Sequence, residues 1–470
     1  MTPAKVFGVS DQNHFASLSG DANPIHLDPI AARRTQAGAP VVHGVHTVLW
    51  ALDSLIAGGH LHGAIASLSV RFQKFTYVGA GVELQIASSD ATSLRAKLVS
   101  EDITTTVIEI AYGEQEAAPD APLSSQPIDL SQPADLDISS LAGRAGRLQT
   151  ASADAIAQTF PHAASALGNE RIAAITGLSA LVGMVCPGLH SIFSGFAIRM
   201  THESDPGLSF RVRNVDERFR MVELTVAGSG IAGEVTAFLR QPPVVQPGVD
   251  ELRSLVKPGE FAGVTALVVG GSRGLGALTA KIIAAGGGRV AITYASGEDD
   301  AQAIAREIGP ESTFVFRYDV REGAELQIVA LQWDLNQLYY FATPHIFRQK
   351  GGEYSPARFA EFRAFYVDGF ASLCAAVRAR SAHGFAAFYP SSTAVEERPR
   401  DMTEYAMAKA EGEALCADMN RSAPDIRVVV KRLPRLLTDQ TATVMPVEQA
   451  NPVEWMLPIV REMSAISLPR

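Results

Sequence analysis

Two hydrophobic rhythms divide this chain, and no single fold satisfies both. Up to about residue 239, apolar and polar residues alternate in stretches such as 64–72, 82–86, 94–98 and 106–111. Period-two alternation puts apolar side chains on one face of a strand, which suits an antiparallel sheet covered on one side. From Thr265 onward the strand-like runs are short and wholly apolar, starting with 265–269, and helix-like segments separate most of them. Such runs fit a parallel sheet buried on both faces. A length of 470 residues agrees with several domains.

The alternating part itself divides in two. Residues 1–115 place an apolar helix-like segment, 47–57, ahead of successive strands. Residues 116–145 turn to Pro, Ala, Ser and Asp without periodicity and read as a linker. Residues 146–243 repeat the plan, with an apolar segment at 173–185 and strand-like runs at 208–212, 221–226 and 233–239. Aligning 63–72 with 190–199 indicates a diverged internal repeat. Residues 244–262, with Pro247, Pro258 and Gly259, read as a second linker before a last domain at 263–470.

The chemistry of the first domain concentrates in Asp21-Ala22-Asn23-Pro24-Ile25-His26. Pro24 fixes its own φ and keeps Asn23 extended, so the segment reads as a kinked loop and not a helix. Such a loop can point Asp21 and His26 at one spot. Farther along, Val41-Val42-His43-Gly44 opens the apolar helix, whose free N–H groups and positive dipole end could polarise a carbonyl. These strings resemble the hydratase motif of MaoC-like enzymes, the hotdog-fold (R)-specific enoyl-thioester hydratases and dehydratases. The resemblance implies that Asp21 and His26 are the catalytic pair, that Asn23 supports them, and that the backbone around Gly44 serves the thioester oxygen. Among the other histidines, His43 is the one expected to face substrate. The second repeat has no such string and is expected to complete the sheet and pocket only. Cys186, His190 and Ser194 have no orienting acid at a sensible spacing and read as packed residues rather than a nucleophile dyad.

In the last domain the first apolar run ends in Gly270-Gly271-Ser272-Arg273-Gly274-Leu275-Gly276 and leads into a helix-like segment. Glycines there let the backbone turn tightly and approach a pyrophosphate seated on the helix N-terminus. Tyr405 and Lys409 stand four apart on one helix face, where an ammonium beside a phenol favours the phenolate and lowers its pKa. Tyr405 can then deliver a proton to a carbonyl oxygen, and Ser392, at a strand end, could hydrogen-bond that oxygen. With Asp319-Val320 between them, these elements resemble the short-chain dehydrogenase/reductase family. That resemblance implies catalysis by Ser392, Tyr405 and Lys409, adenine contacts from Asp319 and Val320, and a dinucleotide held by the glycine loop and Ala342. The chain departs from the family at Tyr340-Phe341-Ala342-Thr343, where an Asn-Asn-Ala-Gly string is expected. It departs again at Asp368, aligned with the relay Asn, and at Pro434-Arg435, aligned with a Pro-Gly. NADPH is favoured over NADH, because the second strand ends Tyr294-Ala295-Ser296 without an acid and Arg273 could meet a 2′-phosphate.

The expected fold class is thus an α+β double hotdog followed by an α/β Rossmann domain, a doubly wound parallel sheet. The expected activity is a bifunctional 3-oxoacyl-thioester reductase and 3-hydroxyacyl-thioester dehydratase acting on acyl carrier protein or CoA thioesters. The same chemistry run for degradation, or an active dehydratase with a silent nucleotide-binding, partner-docking domain, are the alternatives. A net charge of −10 and the lack of any basic tract argue against nucleic acid and anionic membrane as partners. Three scattered cysteines exclude a disulfide framework or cysteine zinc site and fit a reducing, cytoplasmic setting. Both families commonly self-associate, so a homodimer is expected.

Overall fold

The computed structural model describes residues 3–117, 123–202, 206–344, 346, 354–381, 383–439, 441 and 449–468. The chain divides into two compact units, one running to Pro242 and the other starting at Pro243.

The first unit holds ten strands in one antiparallel sheet. They are β1 (Ala4–Val6), β2 (Ile65–Phe72), β3 (Gly81–Ser89), β4 (Ser93–Ser100), β5 (Ile103–Tyr112), β6 (Ala145–Leu148), β7 (Ser191–Met200), β8 (Leu208–Asp216), β9 (Met221–Gly228) and β10 (Ile231–Leu239). Their order across the sheet is β1-β3-β4-β5-β2-β7-β10-β9-β8-β6. The second five strands mirror the first five, and the halves meet where β2 pairs antiparallel with β7, Ser69 opposite Ala197.

Each half lays one apolar helix on this sheet. The helix Gly44–Ala57 buries Val45, Val48, Leu49, Leu52 and Leu55, the spacing of a single helical face. Its counterpart, Asn169–Ala180, runs on into a π-helical turn, Leu181–Val185, and is buried from Ile172 onward. A helix apolar all round belongs inside a core, and side chains of both helices join one hydrophobic cluster spanning the two halves. This is a double hotdog.

Of residues 116–145, expected as a linker, the described stretch from 123 onward is instead strapped to the second half. Ala134 N–H donates to the Met184 carbonyl at 2.8 Å, and its own carbonyl accepts from Leu189 N–H at 2.8 Å. Ile138 and Leu141 are buried, with Ile128, Leu130 and Leu136 packed against the same core. These apolar residues have no helical or strand period, so they anchor the segment without announcing an element.

In the second unit six strands form a parallel sheet: β11 (Thr265–Val269), β12 (Arg289–Tyr294), β13 (Thr313–Arg317), β14 (Gln337–Tyr340), β15 (Phe385–Ser392) and β16 (Ile426–Leu433). The order β13-β12-β11-β14-β15-β16 reverses direction between β11 and β14, the topological switch of a Rossmann sheet. The crevice beyond the strand ends there is where such folds bind ligand.

Residues 244–262, also expected as a linker, belong to this unit. The short helix Val249–Arg253 buries Leu252, and Phe261 packs beside it in the core that covers one face of the sheet. Leu252 is 1% exposed, whereas Leu255 is 45% exposed. Leu252→Ala should therefore cost about 3 kcal/mol of stability in the second unit, the usual loss for a buried leucine. Thermal unfolding of the full chain should show that transition move down, with Leu255→Ala leaving it in place. Equal, negligible shifts for both variants would mean the segment does not pack.

Candidate active site

In the first unit, three backbone devices deliver the motif side chains. The helix Val9–Ser19 ends at Gly20, whose φ of 77° turns the chain left-handed and drops Asp21 into the core. Asn23 then caps a single helical turn, Pro24–Leu27, by accepting from Ile25 N–H at 3.1 Å. The expected non-helical loop is thus corrected: proline at the first position of a turn lacks only an N–H that would be unpaired anyway. That turn swings His26 back until its Nε2 lies 3.9 Å from Asp21 Oδ2.

The imidazole's tautomer follows from its other contact. His26 Nδ1 is 2.7 Å from the Val41 carbonyl, which can only accept, so Nδ1 carries the hydrogen. In the neutral ring Nε2 is then a free lone pair facing Asp21. Asp21 is 2% exposed. Burial raises its pKa, opposed by His26, by Ser179 Oγ–H donating to Oδ2 at 2.6 Å and by Asn23 N–H donating to Oδ1 at 3.2 Å. The Asn23 amide donates to the Gly183 carbonyl at 2.7 Å.

Ser179 and Gly183, both from the second half, are site residues that the sequence reading missed. A Cβ at Gly183 would stand 2.3 Å from Asp21 Oδ1, so only glycine admits the carboxylate. A lone glycine in the apolar run 178–186 was the available signal of a close approach. His43, expected to face substrate, does not: it is fully buried, stacks behind His26 at 3.8 Å between ring centroids, and lies 3.0 Å from both the Asp21 carbonyl and Gln12 Oε1. Burial holds its pKa well below the ordinary value, and a neutral ring, with one N–H, donates to only one of these two oxygens.

Asp21, His26, Ser179 and Gly183 line a cavity of about 80 Å³ together with Gly44 and Thr47 at the start of the Gly44–Ala57 helix. A Cβ on Gly44 would stand 2.8 Å from the Phe72 ring, so glycine alone keeps this helix end open to the cavity. Cys186 is fully buried and its thiol is pushed up to about 12 by desolvation, while His190 pairs with Asp135 at 3.4 Å. The acid that sequence spacing did not reveal is therefore present, but no thiolate accompanies it.

In the second unit the glycine loop closes tightly. A Cβ at Gly276 would stand 2.2 Å from the Gly270 carbonyl, and one at Gly270 3.1 Å from the Phe341 carbonyl beside Ala342. The glycines therefore let the loop pack tightly on the N-terminus of the helix Gly274–Ala285, which fits a dinucleotide pyrophosphate. Ser272 is buried in the loop and Leu275 packs inward. Arg273 lies 3.8 Å from Asp439. Asp319 is held low by a two-pronged pair with Arg321, at 2.9 and 2.6 Å, and Val320 packs where a Gly369 side chain would be.

Tyr405 and Lys409 come together with Ser392, but not as expected. Burial raises the Tyr405 pKa, and the Ser392 hydroxyl only partly offsets it. The Lys409 ammonium donates to the Pro390 carbonyl at 2.6 Å and sits 3.8 Å over the Tyr366 ring, against 5.9 Å for the Tyr405 ring. Desolvation pushes Lys409 down to about 7. The expectation that Lys409 lowers the phenol is thus overturned, because burial of both groups outweighs their proximity.

Asp368 does not reach this cluster either. It is on the surface, paired with Arg363 at 2.9 Å. A π-helical turn, Ala364–Asp368, widens the helix here, and Tyr366 enters instead, 2.5 Å from the Thr343 hydroxyl. Spacing alone could not show the extra residue in that turn.

Comparison with known proteins agrees with both units. The model of the MaoC like domain matches residues 3–111, and that of the short chain dehydrogenase family matches residues 264–336. The (R)-specific enoyl-CoA hydratase of Aeromonas caviae is 34% identical over 107 residues, 22% of this chain and 76% of that protein. The 3-hydroxybutyryl-CoA dehydratase of Methylorubrum extorquens is 35% identical over 85 residues, 17% of this chain and 53% of that protein. Among solved structures, FolM alternative dihydrofolate reductase 1 from Brucella suis in complex with NADP is 20% identical, with a TM-score of 0.39, covering 43% of this chain and 88% of that one. The chain is an enzyme that belongs to the MaoC-like hydratases and dehydratases, and residues 264–336 of its second unit are similar to the short-chain dehydrogenases.

Proposed function

We propose that the chain reduces a 3-oxoacyl thioester to the 3-hydroxyacyl thioester in its second unit and dehydrates that product to the trans-2-enoyl thioester in its first. The observation that carries the reading is the Asp21–His26 pair, 3.9 Å apart on a cavity that also holds the Gly44 helix start. Neutral His26 takes the C2 proton at Nε2, and the protonated Asp21 carboxyl gives its proton to the 3-hydroxyl, which leaves as water. The enolate-like oxygen is held by N–H groups of the first helical turn at Gly44. A proton passing from His26 back to Asp21 resets the pair. Ser179 and Asn23 support the transient carboxylate.

In the second unit Tyr405 protonates the 3-oxo oxygen and Ser392 holds it. The nicotinamide, when bound, supplies hydride. Lys409 holds positive charge beside the phenol, and the glycine loop and Ala342 seat the dinucleotide. With Asp319 tied to Arg321, its part is to shape the adenine side together with Val320. NADPH is the preferred dinucleotide on the same grounds as before, no acid ending β12 and Arg273 in the loop. Carrier-protein as well as CoA thioesters, a homodimer and a cytoplasmic setting belong to this proposal through family resemblance. Among the described residues no helix is long and apolar enough to cross a membrane.

The displaced Asp368 and the Tyr366 ring under Lys409 favour a second reading, in which the reductase domain is silent and only the dehydratase turns over. Purified full chain with NADPH and a 3-oxoacyl thioester separates the two, following nicotinamide absorbance and product mass. NADPH loss with enoyl product supports the bifunctional reading. Interconversion of hydroxyacyl and enoyl thioesters without NADPH loss supports the second.

In the bifunctional case, Asp21→Asn should cut dehydration by about a hundredfold or more and leave NADPH consumption intact. Tyr405→Phe should do the reverse. The pH profile of reduction gives a further check. With Lys409 at about 7, the ammonium is present below that value and lost above it, so kcat for reduction should fall as pH rises through about 7. A reduction rate flat from pH 6 to about 9 would exclude a requirement for the charged lysine at this pKa.

A further inference from the structure

The cavity in the first unit has a wall whose construction is unusual for a strand. Along β7 and β10, Thr236 faces Gly195 but Ala237 faces Phe193, leaving Ser194 as an extra residue. Such a bulge breaks period-two alternation and re-aims a side chain. Phe196 is buried opposite Val70, and the inserted Ser194 brings Phe193 round towards it.

The rings of Phe193 and Phe196 are 6.0 Å apart, and Phe72 of β2 lies 5.2 Å from Phe193 and 6.5 Å from Phe196. Two glycines make the cluster possible. A Cβ on Gly195 would stand 2.3 Å from the Val70 carbonyl oxygen, and the Phe72 ring occupies the space beside Gly44. Phe72 and Phe193 both line the cavity that holds Asp21 and His26. Both rings are half-buried, as side chains with one face on an open cavity are.

The rings of Phe72 and Phe193, 5.2 Å apart and backed by Phe196, form one packed wall of this cavity. A crotonyl group is short enough to leave such a wall in place, whereas a decenoyl chain would need it to move. Cores and packed walls resist such movement.

We propose that Phe72 and Phe193 close the acyl subsite, restricting the first unit to short-chain enoyl and 3-hydroxyacyl thioesters. The inference rests on the dehydratase reading above and adds the substrate class to it. Phe193, delivered by the bulge, is the length-setting residue, and Phe72 braces it.

The test is hydration of crotonyl-CoA and trans-2-decenoyl-CoA by the full chain, read as loss of enoyl-thioester absorbance. Wild type should favour crotonyl-CoA by about tenfold or more in kcat/KM, and Phe193→Ala should bring the ratio to about one or reverse it. Phe193→Leu, which keeps most of the volume if the alanine variant does not fold, should fall between them. Equal use of both thioesters by wild type would overturn the inference while leaving the dehydratase reading standing. A ratio within about twofold of wild type in both variants would do the same. No hydration of either thioester by wild type would overturn both.

Discussion

The first unit depends on keeping one carboxyl group, Asp21, almost wholly out of water. Burying a polar group costs free energy unless it is hydrogen-bonded, and its ionised form costs more, so such a group persists only where other polar groups face it. Here the Ser179 hydroxyl, the Asn23 N–H and the His26 ring surround it. Two of the features that admit it, Ser179 and the bare Gly183, come from the second half of the sheet. The half without a catalytic motif is therefore not mere scaffolding. It supplies the donor and the clearance that let Asp21 exist where it does, and Asn23 ties the motif turn to the same segment.

Desolvation also governs the second unit, with another outcome. Around Lys409 stand the Pro390 carbonyl and aromatic faces, and the pull of the Glu413 carboxylate is outweighed by desolvation. An aromatic face attracts a cation by about 1–2 kcal/mol when desolvated, too little to restore the pKa of a fully buried amine. Tyr405 is shifted up and Lys409 down, so the two groups move apart instead of the ammonium drawing the phenol towards ionisation. Proximity in sequence was a sound guide to contact. It was a poor guide to which electrostatic effect wins.

Much of the fold was legible because period and burial are linked so directly. Alternation at 64–72 or 94–98 can serve only one covered face, and 265–269 only two, so both sheets could be read from residues alone. The motif strings Asp21 to His26 and Tyr405 to Lys409 were equally readable, since their members lie within one turn or one loop. What escaped were features that depend on distant backbone. Ser179 meets Asp21 across 158 residues, and its role has no local pattern. Asp368 was aligned by counting, but the π-helical turn at Ala364–Asp368 shifts the register and turns Tyr366 inward. The segments 116–145 and 244–262 lacked periodicity, and the anchoring by Ile138, Leu141, Leu252 and Phe261 could not be seen without their partners.

The pairing of β2 with β7 lies within a single polypeptide. Two separate hotdog chains would assemble such a site only at concentrations above their Kd, whereas a tether fixes a local concentration on the order of millimolar. At any dilution, Ser179 still finds Asp21. Covalent union also removes the demand for likeness between halves that a self-complementary dimer imposes. One half can keep Asp21 and His26, while the other accepts a glycine at 183 and an extra serine at 194 that symmetry would otherwise have copied into both.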